Sequence, residues 1–203
     1  MIDVSHPHHL VLASGSPRRR QLLETAGLRP TVRPADIDET PMPDETPTNY
    51  VRRLSIEKAS AAMQSPLADS RDIVVAADTT VEAGGPILEK PLDRDDAWGM
   101  LRRLSGRAHR AHTGVTVSWP EIGARRTVSI LVSTEVTFVD LSDDTIEWYL
   151  ATGEADDKAG AYGIQGAAAA FVSRIDGSVT NVIGLPLAET LDLIRTAVAS
   201  STS

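Results

Sequence analysis

Hydrophobic and polar positions change period several times along the 203-residue chain. Leu10-Val11-Leu12-Ala13 and Ile73-Val74-Val75-Ala76-Ala77 are unbroken apolar runs, the pattern of strands covered on both faces. From 109 to 119 the chain alternates, with Ala111, Thr113, Val115, Val117 and Trp119 on one side, which predicts a half-buried strand. After a turn at 120–123, alternation resumes through Val128, Ile130, Val132, Thr134 and Val136 to Phe138. A strand of roughly 14 residues spans about 45 Å. That exceeds what one lobe needs, so it reads as a spine shared by two lobes with a cleft between them. Ala167 to Ile175 reads as a further strand and Asp176-Gly177 as a hairpin turn.

Between these stretches apolar residues recur every three to four positions. Pro17 to Ala26 predicts a helix with Leu22, Leu23 and Ala26 on one face, Ser16 as N-cap and Gly27 at its end. Thr46-Pro47 opens a second helix, which Ser65-Pro66 ends, with Tyr50, Val51, Leu54, Ala61 and Ala62 on its apolar face. A third begins at Asp93, places Asp95 and Asp96 at its positive end and buries Trp98, Leu101 and Leu104, leaving Arg102 and Arg103 solvated. Ser142 caps a fourth, with Ile146, Tyr149 and Leu150 inside. The last runs through Leu187, Leu191, Ile194 and Val198. Thr31-Val32 is a short extended piece, Asp36 to Pro43 an acidic, proline-punctuated loop, and Gly84-Gly85-Pro86 a tight turn.

Composition narrows the function. At 41% hydrophobic and 24% charged residues the chain is of soluble globular type. No apolar run approaches the ~18 residues of a membrane span, so no membrane association is expected. Residues 1–9 lack a basic region followed by an apolar core and read as a flexible N-terminus, leaving 10–199 as one domain. The absence of cysteine excludes disulfides and thiolate chemistry and fits a cytoplasmic protein. A net charge of −8 disfavours a nucleic-acid polymer as partner. A polyphosphate ligand would need a local basic cluster acting against the overall field, with a divalent cation.

Several stretches carry candidate chemistry. At Ser14-Gly15-Ser16-Pro17-Arg18-Arg19-Arg20 a strand turns into a helix, presenting N–H groups, hydroxyls and guanidinium groups. Such a corner is either an anion site or a capped surface helix with solvated arginines. Lys58, four residues after Leu54 on the apolar face, either reaches water along its stem or meets a buried anion. Asp78-Thr79-Thr80 follows a buried strand, where α/β sheets gather ligands, and offers a metal ligand or general base. Glu89-Lys90 likewise follows an apolar pair. The glycines at 160, 163 and 166 suggest backbone approached closely by a ligand. His109 and His112, three apart in a strand, face opposite ways and make a poor metal pair.

In this order and spacing, Leu12–Arg19, Glu57-Lys58-Ala59, Ala77-Asp78-Thr79, Glu89-Lys90-Pro91, Leu104-Ser105-Gly106, Lys158–Gly166 and Asn181–Pro186 resemble the Maf family of nucleoside triphosphate pyrophosphatases. The resemblance implies an α/β fold with a long mixed twisted sheet flanked by helices, two lobes and a central cleft, in a homodimer. It implies hydrolysis of a nucleoside triphosphate to the monophosphate and pyrophosphate, dependent on Mg²⁺ or Mn²⁺, to clear the nucleotide pool. Asp78 matches the family's proton acceptor, and Ser14, Arg18, Arg19, Lys58 and Lys90 match its phosphate-handling positions. Asp78 and Glu39 match its metal-associated carboxylates. Arg18, Thr79 and Gln165 match the branch acting on dTTP and UTP. Other readings are the same chemistry on modified or purine triphosphates, and a nucleotide-binding regulator of cell division with little turnover.

Overall fold

The computed structural model describes residues 8–85 and 87–201. In chain order it contains β1 (His9–Leu12), α1 (Pro17–Thr25), β2 (Thr31–Val32), α2 (Pro47–Gln64), β3 (Asp72–Glu82), β4 (Ile87–Leu88) and α3 (Arg94–Leu104). Then follow β5 (Ala108–Glu121), β6 (Ala124–Phe138), α4 (Asp143–Leu150), β7 (Val172–Asp176), α5 (Val179–Ile183) and α6 (Leu187–Ser201), with 3-10 turns at Ala159–Ala161 and Ala167–Phe171. The strands form one seven-stranded sheet in the order β2-β1-β3-β5-β6-β7, with β4 beside β3. β1 runs parallel to β2 and β3, whereas β4 on β3 and β7 on β6 are antiparallel. The fold is therefore α/β with a mixed sheet, as expected.

Contacts divide the chain into two compact units. The first holds the residues up to Asp78, Thr113–Val132 and those from Gly184 onward; the second holds Thr79–His112 and Ser133–Ile183. In the first unit Val11, Ala13, Val74 and Ala76 of the sheet side meet Ala59 and Ala62 of α2. Small side chains on both sides let helix and sheet approach closely. Gly114 marks the tightest approach, since a Cβ there would lie 2.3 Å from the Val51 carbonyl oxygen. Ser55 and Thr116 hydroxyls bond across the same contact at 2.9 Å. The alternation in β5 predicts a half-buried strand, but Thr113 to Trp119 are buried throughout. Thr116, on the polar side of the alternation, lies under α2 instead of in water.

In the second unit Leu101, Leu104, Val136, Ile146 and Ala168 surround an aromatic cluster. Phe138, Tyr149, Tyr162 and Phe171 meet edge to face, the arrangement their ring quadrupoles favour. Trp98 lies against this core but is only partly buried. Arg102 is not simply solvated: it donates to the Leu141 carbonyl at 2.7 Å, pairs with Asp143 and stacks over Trp98.

Other expectations need correction. β3 does not stop at Ala77 but continues to Glu82, because Thr80 is buried and Val81 and Glu82 pair with β4. Ala167 to Ala170 is a 3-10 turn, not a strand: alanine lacks the branched side chain that favours a pleat, and Glu154 accepts the Ala167 N–H at 2.9 Å. Asp176-Gly177 leads into α5 instead of a hairpin. His9 belongs to β1 and His8 is buried, so the expected flexible terminus loses its last two residues; residues 1–7, and Pro86 of the expected turn, lie outside the described residues.

Candidate active site

Lys58 projects from the sheet-facing side of α2 and does meet a buried anion, Asp78, together with the half-exposed Glu39. Its Nζ lies 2.6 Å from Asp78 Oδ1 and 2.8 Å from Glu39 Oε1. Lys58 and Asp78 are each 7% exposed, whereas the Glu39 side chain is about half in water. The two carboxylates thus share one ammonium, and Asp78 stands within β3, on the stretch that α2 covers. A buried charge of this kind persists only where its partner and hydrogen bonds compensate desolvation.

The β1–α1 corner supplies the cationic side. Ser14 Oγ accepts from Arg19 Nη1 at 3.1 Å and from the Ser16 N–H at 3.2 Å. With both acceptor positions used, the hydroxyl proton of Ser14 is left to donate. Arg19 Nε donates to the Gly184 carbonyl at 2.8 Å, which fixes the plane of its guanidinium. Burial pushes the Arg19 pKa down, while Asp78 and Glu39 nearby push it up and Arg18 adds repulsion. Ser16 occupies the N-cap position of α1, but its side chain makes no capping bond. Its N–H serves Ser14 and is not held open for an anion.

The acidic loop before α2 is not simply solvated. Tyr50 Oη donates to the Glu39 carbonyl at 3.0 Å. Arg53 donates to both carboxylate oxygens of Glu45 at 2.7 Å and to the Thr40 carbonyl at 3.2 Å. From sequence, Tyr50 is only a core-face residue and Gly184 only part of the stretch Asn181–Pro186, and Arg53 and Glu45 have no expected role. The only local signal was the i,i+4 spacing of Arg53 and Glu57, which also fits an ordinary surface pair.

Ser14, Arg19, Glu39, Lys58 and Asp78 are brought together within the first unit, with Arg18 beside Arg19. Thr79, Lys90 and Gln165 belong to the second unit, where Lys90 and Gln165 are exposed. There the Gly160 N–H donates to the Glu89 carbonyl at 3.1 Å, tying the segment before Lys90 to the glycine-rich stretch. Those glycines answer to the chain itself. A Cβ on Gly163 would meet the Lys158 stem, one on Gly166 the Glu154 carboxylate, and one on Gly160 the Val81 side chain. Lys158 is held by the Glu154 carbonyl and Asp157. His112 is bonded on both ring nitrogens, to Ser133 at 2.7 Å and Glu82 at 2.9 Å, and His109 to Tyr162 at 2.9 Å.

Among the described residues no group of three or more His, Cys, Asp or Glu side chains is placed to hold a metal ion. Asp78 and Glu39 form a two-carboxylate, oxygen-only set. That suits a hard cation such as Mg²⁺, which keeps several waters and takes further oxygens from substrate phosphates.

The family model described as Maf-like protein matches residues 9–197. A dTTP/UTP pyrophosphatase of Anaeromyxobacter dehalogenans (strain 2CP-1) is 51% identical over 188 residues, 93% of each chain. One from Hahella chejuensis is 49% identical, covering 92% of this chain and 90% of its own. One from Myxococcus xanthus is 48% identical, covering 93% and 92%.

Proposed function

This chain belongs to the Maf-like family, and from that premise we propose that it hydrolyses dTTP and UTP to the monophosphate and pyrophosphate. The observation that carries the reading is the Asp78–Lys58–Glu39 cluster beside Arg19. Phosphoryl chemistry asks little covalent work of a protein and much positioned charge. A cluster with two carboxylates, an ammonium and a partly buried guanidinium meets that demand on both signs.

Asp78 and Glu39 would hold a divalent cation, Mg²⁺ or Mn²⁺, which when bound neutralises phosphate charge and makes water a better nucleophile. Lys58 engages Oδ1 of Asp78 and leaves Oδ2 to take the proton of the attacking water. An ammonium has three donors; Lys58 donates to Asp78 and pairs in charge with Glu39, and a remaining donor serves a phosphate oxygen. Ser14 donates its hydroxyl proton to another phosphate oxygen, and Arg19, clamped by Gly184, meets charge developing on the leaving pyrophosphate. Lys90 adds a second ammonium for phosphate. Arg18, Thr79 and Gln165 carry the preference among bases. The reading also takes the working form to be a homodimer in the cytoplasm. No helix among the described residues is long and apolar enough to cross a membrane.

The test is product analysis after incubation with dTTP, UTP, CTP and a purine triphosphate, with and without Mg²⁺ or Mn²⁺. Monophosphate and pyrophosphate from dTTP and UTP are expected, only with metal. Release of orthophosphate, or equal turnover of all four nucleotides, overturns the reading.

A further inference from the structure

Glu39 presents a mechanical problem. Its side chain is 51% exposed and sits in segment 33–46, which contains neither helix nor strand, yet its carboxylate is 2.8 Å from Lys58. A half-solvated ion pair contributes little stability and does not by itself order so long a connection. The backbone must be fixed by other contacts.

Resting on the function proposed above, we infer that Arg53 is a positioning residue that clamps the acidic loop onto α2 and so delivers Glu39 to Lys58 and the cation. Arg53 reaches the loop at two places, the Thr40 carbonyl directly after Glu39 and the Glu45 carboxylate. The Glu45 contact is bidentate, the strongest and most directional geometry a guanidinium makes, and the Glu45 side chain is 8% exposed. Glu45 also closes its own turn: its carboxylate accepts the Met42 N–H at 3.0 Å and its N–H donates to the Met42 carbonyl at 3.1 Å. Asp44 within this turn has φ 59°, a left-handed conformation disfavoured for a residue with a Cβ and sustained here by the contacts around it. Tyr50, one turn before Arg53, adds the bond to the Glu39 carbonyl. Arg53 and Tyr50 thus hold the backbone at Glu39 and directly after it from one helix.

Arg53→Ala, Arg53→Lys, Tyr50→Phe, Glu39→Gln and the Arg53→Ala/Glu39→Gln double variant test this by amide exchange and by Mn²⁺ titration of dTTP hydrolysis. In Arg53→Ala, exchange over 40–45 is expected to rise selectively, with α2 beyond Arg53 unchanged. The half-saturating Mn²⁺ concentration is expected to rise about tenfold, with kcat near wild type at saturation. Lysine keeps the charge but not the bidentate fork, so it should restore the effect only in part. Tyr50→Phe removes one hydroxyl without emptying the core, and a smaller shift in the same direction is expected even if Arg53→Ala folds poorly. Glu39→Gln should reproduce the metal shift, and the double variant should be no worse than Glu39→Gln alone. Multiplying effects, or exchange rising equally along α2, would overturn the inference. If the wild type hydrolyses no nucleotide, the function proposed above falls, and selective exchange at 40–45 alone decides the clamp.

Discussion

The Nζ of Lys58 lies 2.6 Å from Oδ1 of Asp78, an ion pair with both side chains about nine-tenths buried. Removing Lys58 leaves Asp78 buried and charged without its hydrogen-bonded partner, which costs about 3–5 kcal/mol. Lys58→Met is therefore expected to lower the melting temperature as well as abolish pyrophosphate release. Asp78→Asn keeps the shape and an oxygen for Lys58 but loses the base. Its turnover should fall at least about 100-fold while nucleotide binding, followed by calorimetry, persists. Wild-type turnover in Asp78→Asn would remove this residue from the mechanism.

Arg18 lies beside Arg19 yet is assigned to base preference as well as phosphate. Arg18→Ala should reduce the ratio of kcat/KM for dTTP over a purine triphosphate by about tenfold, beyond any common loss. Arg110→Ala is the control, because that side chain is 60% exposed and only 3.7 Å from Glu135. Arg102 would be a poor control, since it ties α3 to Leu141 and Asp143. Equal ratios in the two variants would show that Arg18 does not discriminate bases.

Gly114→Ala probes the approach of α2 to the sheet without touching a charged group. The new methyl would meet backbone atoms of Val51 and Arg52, which cannot rotate away as a side chain tip can. Overpacking of this kind costs about 1–3 kcal/mol. The expected fall in melting temperature is about 2–12 °C for a chain of this size. Because the shift moves the start of α2, Lys58 is displaced with it, and kcat should drop too. An unchanged melting curve would mean the helix can lift off freely.

Burial lowers the His109 pKa to about 4, and its Nε2 lies 2.9 Å from Tyr162 Oη. Burial also pushes the Tyr162 ionisation up, so the bond joins a neutral imidazole and a neutral phenol. The unfolded chain, with a histidine pKa near ~6.5, binds the proton first on acidification. Stability from this residue is thus complete above pH ~6.5 and declines as pH falls towards 4, by about 3 kcal/mol in all. His109→Gln, which can still hydrogen-bond to Tyr162, should show a flatter loss of stability between pH 6.5 and 4. A loss as steep as in the wild type would place the acid sensitivity elsewhere.

Much of the helical structure was legible because its signals are local. Thr46, Asp93 and Ser142 each accept the N–H three residues on, as their positions before periodic segments implied. Where the local signal was ambiguous, the reading failed in a consistent way. The alternation in β5 could not say that α2 covers the polar side, and Ala167–Ala170 could not say that Glu154 would hold it in a turn.

The linear order of residues by itself determined the family, the strand and helix candidates, and the short list of charged groups, because those depend on identity and spacing along the chain. Tertiary structure alone decided that Lys58 meets Asp78 and Glu39 instead of water, and that Arg53 and Tyr50 fasten the acidic loop. It also decided that the glycines near Lys158 make room for the chain's own side chains. The reason is the same in each case. Burial and charge pairing arise between groups distant in sequence, and a lysine, an arginine or a glycine has the same local pattern whether its partner is solvent or another part of the fold.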